Sequence, residues 1–291
     1  MSISIKETKQ TKPKLKYSYK KIILRVSIVL VVTFFLLPIL WQILTSLKVN
    51  EDISAIPTIY FPSRLTLDHY LELFSRRPFA LYILNSALVS LISTVLCLAI
   101  GSPAAYGLAR LKLPGESIIL AGILVITLFP YVLLFLGLLE VIKFFNLGNN
   151  YLALIIPYTA INLPLTILVM RSFFQQLPRD LEDAAKIDGY NTLGMLINIL
   201  LPLTAPALVT TGILTFIFAW NEYIFALTFI TQESLKTIPV ATAQLGGATV
   251  FEIPYGPIAA ATVLGTFPLV LLVLFFQRRI VQGLTAGAVK G

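Results

Sequence analysis

Residues 26–47 read VSIVLVVTFFLLPILWQILTSL, 22 residues without a charge, closed by Arg25 on one side and Lys48 on the other. About 20 apolar helical residues cross the hydrocarbon of a bilayer, so this stretch predicts a membrane-spanning helix. A secretory signal would have a shorter apolar core and a small-residue cleavage site directly after it, and none follows here. The rest of the chain agrees. Of its 291 residues 57% are hydrophobic and 12% are charged, about half the charged fraction of an ordinary soluble domain. A chain this apolar is solvated by lipid.

Outward from that span the hydropathy pattern repeats. A second span is expected at about 80–107, a third within Ser117–Leu139, a fourth within Phe144–Met170, a fifth within Ile199–Ile230, interrupted by Glu222, and a sixth at 257–277. Prolines 38, 103, 130, 157, 164, 206 and 268 fall in these runs, and each is expected to kink its helix. Six crossings put both termini on one side, and the basic residues say which. Sixteen of the 22 lysines and arginines lie in the amino-terminal tail, the 2–3 and 4–5 loops and the carboxyl end; Lys48, Arg64, Arg76, Arg77, Lys143 and Lys236 fall on the other side. Basic loops stay in the cytoplasm, so both termini are expected there. The organisation read this way is a basic tail at 1–21, a six-span unit at 22–280 and a carboxyl tail at 281–291. The net charge of +8 is then a topology signal, and nucleic-acid binding is not expected. A short helix is expected at 66–74 in the first outer loop.

Composition removes several chemistries. The single cysteine, Cys97, excludes a disulfide framework within the chain and a multi-cysteine metal site. The single histidine, His69, has no partner for catalysis or metal binding and reads as a loop residue near the membrane surface. There is no GxxxxGK[ST] phosphate loop and no HExxH. No cofactor is expected on this chain, and no enzymatic activity. Uphill transport would need an ion gradient or an energised partner.

The second informative stretch is LPRDLEDAAKIDGY, residues 177–190, charged between two apolar runs. Pro178 closes the preceding helix. Asp180 with Asp183 resembles a capping box, and Gly189 is suited to leave the helix through the left-handed region. The result is a helix over 181–188. It is too short to be stable alone. Leu181, Ala184, Ala185 and Asp188 are expected on one face. Acids outnumber bases and the apolar residues are small, unlike a helix lying on lipid. A cytoplasmic protein partner is the better expectation.

These residues carry a resemblance. The chain resembles the permeases of binding-protein-dependent ABC importers, whose signature is EAA, three residues, Gly, nine residues, then I-x-L-P. Here Asp183, Ala184 and Ala185 are followed by Gly189 and by Ile199–Leu200–Leu201–Pro202 at the same intervals. Asp183 replaces the signature glutamate and reaches one methylene less far, so Glu182 shares the expected contact. FFQRRIVQGLTAGAVKG at 275–291, AWNEYIFAL at 219–227 and LYILNSALVS at 81–90 are similar to the MalG-type sugar permeases. The resemblance implies an all-α membrane protein with six transmembrane helices, the type I ABC importer permease fold, and a short cytoplasmic coupling helix. It implies that Glu182, Asp183, Ala184, Ala185, Asp188 and Gly189 couple to an ATPase, and that Gln282, Gly283 and Thr285 in the carboxyl tail reach toward it. The implied partners are a homologous MalF-like permease, two cytoplasmic ATPase subunits that bind ATP and Mg, and an extracytoplasmic solute-binding protein, all around a chain in the inner membrane.

Within the spans Asn85, Asn221 and Glu222 are the polar candidates for a pathway or for interhelix bonds. A carboxyl in hydrocarbon costs on the order of 3 kcal/mol at a helix centre. Two readings of Glu222 stand side by side: it lines a cavity or pairs with another span, or it sits at the outer headgroup level beside Trp220 and Tyr223. A permease for a polyol, osmolyte or glycerol phosphate shares all these motifs, and a membrane scaffold could use the same docking helix without transport. A secondary transporter would need more midplane ionisable groups than Glu222.

Overall fold

The computed structural model describes residues 16–246 and 253–288, with side chains described for 19–246 and 253–280. These residues are helical apart from loops and one isolated bridge between Lys48 and Leu65. We label the principal helices in chain order: α1 Lys16–Ser46, α2 Asp68–Arg76, α3 Phe79–Arg110, α4 Glu116–Leu128, α5 Phe135–Phe144 and α6 Leu152–Gln176. There follow α7 Asp180–Ile187, α8 Thr192–Leu203 with a π turn at Leu196–Leu200, α9 Ala205–Asn221, α10 Ile224–Phe229, α11 Ile238–Ala243 and α12 Tyr255–Ala288.

Four of these, α1, α3, α6 and α12, are long and apolar enough to cross a bilayer; the pairs α4–α5 and α8–α9 bring the number to six if each makes one crossing. The pairs depart from the expected third and fifth spans. The first bends by 94° and the second by 84°. Pro130 forces Phe129 out of the helical region, to ψ 130°. At the second bend Thr204 adopts φ −93°, ψ 15°, and Pro206 stands in the first turn of α9, where a missing N–H costs nothing. The expected fourth span shifts too: α5 carries the chain to Phe144 and α6 begins only at Leu152. The fifth is interrupted again at Glu222, between α9 and α10. Prolines 38, 103, 157, 164 and 268 stay inside helices, as lipid-surrounded helices tolerate.

The core is the parallel pair α3 and α6. Along α3 the buried residues Ser86, Ser90, Ser93, Cys97, Gly101 and Ala105 recur every three or four positions. All are small, so the two backbones come close. Thr159 bonds back to the Ser93 carbonyl at 3.4 Å, and Cys97 Sγ lies 3.1 Å from Thr166 Oγ1. Helix α9 packs on both members of this pair, and α12 packs on α9. Helix α1 touches chiefly α12, and its membrane-length stretch is exposed throughout.

His69 is buried on α2, where its Nε2 meets the Lys48 carbonyl at 2.8 Å, so it pins the end of α1. Helix α2 itself starts two residues later than expected. The boundary at 280 is not a helix end, because α12 continues to Ala288, and α1 begins inside the expected tail, at Lys16. Residues 1–15 and 289–291 lie outside the described residues, as do the side chains of Gln282, Gly283 and Thr285.

Candidate functional site

Helix α7 joins the two halves of the bundle, α6 before it and α8–α9 after it. Its start differs from the expected capping box. Arg179 is the cap residue, its own backbone is helical, and no side chain caps the first turn. Asp180 is already inside the helix, where it joins Glu182 and Asp183 near the positive end of the dipole. The exit matches expectation. Gly189 has φ +84°, the N–H of Tyr190 donates to the Ala185 carbonyl at 3.0 Å, and that of Gly189 to Lys186 at 3.1 Å. This pair of bonds is the Schellman arrangement. Two residues on, Asn191 Oδ1 accepts the Gly194 N–H at 2.7 Å and caps α8. The turn from α7 into α8 is therefore fixed by backbone geometry.

The expected common face of Leu181, Ala184, Ala185 and Asp188 is split. Ala185 is buried against Ala105, Tyr106, Met170, Phe174 and Met195 of this chain. Ala184 and Asp188 are exposed with Asp183 and Gly189, and beside them Ile187 is 87% exposed. Glu182 also points inward. Its Oε1 lies 2.7 Å from Arg110 Nε, and its Oε2 accepts from the Tyr106 hydroxyl at 3.3 Å. The side chains of Arg110 and Glu182 are only 8% and 11% exposed. Removing one member of such a buried pair costs about 3–5 kcal/mol, because the other charge is left without a partner. By contrast Asp183 meets only Lys186, at 3.4 Å and in solvent, a contact of little energetic consequence.

The sequence reading missed Arg110 and Tyr106 as part of this site. Arg110 entered only as a topology charge. The available signal was a tyrosine and an arginine one turn apart at the end of a span, with no acid in their own helix.

At the opposite end α3 presents Tyr82, Asn85 and Ser86 along one face. Asn85 Nδ2 donates to the carbonyls of Ser234 and Lys236, each at 2.9 Å, and its Oδ1 accepts from the Tyr151 hydroxyl at 2.7 Å. Ser86 Oγ accepts the Ile238 N–H at 2.9 Å, and Tyr82 donates to Glu233. Asn85 thus holds the 233–238 segment onto the bundle. The Lys236 ammonium and the Tyr82 hydroxyl hold the Glu233 carboxyl below the usual carboxylate range. Glu222 is buried and bonded to Tyr158 on α6 and to the first turns of α10, so it pairs with another span. Its neighbour Asn221 is exposed, with its amide returned to the Ile217 carbonyl at 2.9 Å.

Residues 97–286 match the family described as binding-protein-dependent transport system inner membrane component. The chain is 43% identical to the sulfoquinovosyl glycerol transport system permease protein SmoH of Agrobacterium fabrum, over 88% of this chain and 89% of that protein. It is 42% identical to the trehalose transport system permease protein SugB of Mycobacterium tuberculosis, over 90% and 95%. It is 39% identical to the trehalose/maltose transport system permease protein MalG of Thermococcus litoralis, over 94% and 98%. Among solved structures, a chain of a bacterial ABC transporter involved in the import of the acidic polysaccharide alginate superposes with a TM-score of 0.78 at 20% identity, covering 92% of this chain and 99% of that one. A second, of the alginate transporter in complex with an alginate pentasaccharide-bound periplasmic protein, gives 0.63 at 16% identity, covering 91% and 96%. At these identities the likeness is one of fold.

Proposed function

The chain belongs to the binding-protein-dependent transport system inner membrane components, and from that premise we propose that it is one permease subunit of an ATP-driven sugar importer. It forms half of a translocation pathway with a second, homologous permease. Two ATPase subunits power the motion from the cytoplasm, and an extracytoplasmic solute-binding protein delivers the sugar. ATP and Mg belong to the ATPases.

One observation carries the reading: the two-turn helix α7, inserted between core helices, keeps its inner face for this chain and leaves Asp183, Ala184, Ile187 and Asp188 open. A short helix whose open face carries two acids, an alanine and an exposed isoleucine is built to be gripped by a protein. The basic residues around it favour the cytoplasmic side for this end. The names of the relatives, which concern trehalose, maltose and a sulfoquinovosyl glycoside, support a sugar or glycoside as the cargo. Asn221, exposed beside the break in the fifth span, faces away from its own bundle and is the polar candidate for the shared pathway.

The test is Ala184→Trp. The side chain projects into open space in this chain, so the variant inserts and folds, yet it no longer copurifies with its ATPase and loses ATP-driven uptake in proteoliposomes. Normal copurification and uptake by this variant would remove α7 as the docking element.

A further inference from the structure

A two-turn helix connected only through its ends would swivel, and its movement would reach the bundle diluted by the flanking segments. Helix α7 has a second attachment. The Arg110 guanidinium, at the last residue of α3, lies 2.7 Å from the Glu182 carboxylate through Nε. Through NH2 it donates to the carbonyl of Leu177 at 2.5 Å. One side chain therefore holds both the helix and the residue that ends α6 ahead of it. Three residues along, on the same inward face, Ala185 is buried in the apolar cluster that also holds Ala105 and Tyr106. Helix α7 is thus tied to α3 through Glu182, by Arg110 and by the Tyr106 hydroxyl, with Ala185 buried on the same face.

The chemistry favours registration over stability. Burying an ion pair is a poor way to gain folding energy, and an apolar pair of similar size would serve as well. What the pair supplies is position: Arg110 meets Glu182 as a close charge pair, while the directed bond of its guanidinium goes to the Leu177 carbonyl. The end of α3 is also a junction. Arg171 of α6 donates through Nε to the Leu108 carbonyl at 3.3 Å and pairs with Glu116 of α4 at 2.5 Å.

We propose that Arg110 is a positioning residue that locks α7 to α3 through Glu182, so that displacement of α7 is delivered directly to the second span and along its small-residue seam to α6. This rests on the reading of α7 as the element a partner moves. Arg110 is nearly buried and paired within this chain, so its effect lies in the coupling.

The experiment uses the full-length permease, alone in lipid nanodiscs and assembled with its partners in proteoliposomes. Glu182→Gln keeps the side-chain shape and an acceptor for Tyr106, and it lowers the solute carried per ATP hydrolysed at least tenfold. Arg110→Gln does the same, and the reversal Arg110→Glu with Glu182→Arg recovers a large part of the ratio. A ratio near that of the unaltered chain in both single variants, or a reversal no better than either, overturns the proposal. In nanodiscs, spin labels at Leu111 and Ile187 in a Cys97→Ser background give one narrow separation, which broadens with Glu182→Gln. An unchanged narrow separation also overturns it. That measurement needs no transport, so a complex without ATP-driven uptake would strike the functional reading while the lock is still decided.

Discussion

Tyr158 on α6 donates its phenolic hydrogen to Glu222 across 2.5 Å, and Glu222 stands where α9 stops and α10 begins. The same carboxylate accepts the N–H of Phe225 at 3.0 Å and of Ala226 at 3.2 Å. The acid therefore pays for its place among apolar helices by satisfying donors that the break would otherwise leave open. Its neighbours Asn221 and Tyr223 point out of the bundle while it points in, so the WNEY stretch serves two surfaces with consecutive residues.

Replacement of Glu222 by leucine leaves the Tyr158 hydroxyl and two backbone N–H groups without acceptors. Each buried group left open costs about 1–3 kcal/mol, so Glu222→Leu lowers the thermal midpoint of the permease in nanodiscs substantially, and Tyr158→Phe lowers it less. Uptake falls in step with the folded fraction. A Glu222→Leu protein as stable as the unaltered chain but without uptake would instead make this carboxyl part of the pathway.

Which features were legible in the sequence follows from their range. The spans at 26–47 and 257–277, the left-handed exit at Gly189 and the existence of α7 depend on neighbouring residues, and the linear pattern carries them. Pro130 and Pro206 mark kinks in the sequence, but hydropathy measures how apolar a run is and gives neither the size of a bend nor its direction. The split face of α7 was misread for a related reason. Small residues at 184 and 185 look alike in sequence, and the packing of α3, α6 and α8 determines that Ala185 is covered and Ala184 is not. Glu182 looked available because its counter-ion, Arg110, comes from a different helix. Asn85, a pathway or interhelix candidate in the sequence, does meet Tyr151 at the start of α6, but its other partners are carbonyls in a distant loop, which no spacing rule reaches.

Acid loosens the loop that Asn85 holds. The folded Glu233 carboxyl titrates below its ordinary value, first through Lys236 and then through Tyr82. A depressed value means the contribution is complete above the unfolded value of about 4.3 and is lost as pH falls through the folded one. Hydrogen exchange of residues 231–238, corrected for intrinsic rates, is therefore flat near neutrality and rises on acidification below about pH 4. The carboxylate is half exposed, with its side chain at 55%, so solvent screening keeps the change small. Glu233→Gln removes the acid step, whereas Asn85→Ala raises exchange at every pH. An acid step of the same size in Glu233→Gln would assign the titration to another group.

The seam between α3 and α6 is tightly closed at Gly101. A β-carbon there would stand 2.6 Å from Thr166 Cγ2 and 3.2 Å from Thr166 Cβ, with Leu163 at 3.5 Å behind. Thr166 is fully buried and β-branched, so its side chain has little room to retreat. Gly101→Ala is therefore an overpacking change, expected to cost about 1–3 kcal/mol, even though alanine is the better helix former by about 0.5–1 kcal/mol. Gly107 lies in the same helix and supplies the control. Its added carbon would meet only Leu111 Cδ1 at 3.8 Å, so Gly107→Ala is neutral or slightly stabilising. The decisive variant is Gly101→Ala with Thr166→Ser. Serine keeps the hydroxyl that faces Cys97 Sγ and removes the methyl that collides. It restores the thermal midpoint lost by Gly101→Ala alone, whereas a midpoint that stays low would mean the two helices are held apart by something other than this methyl.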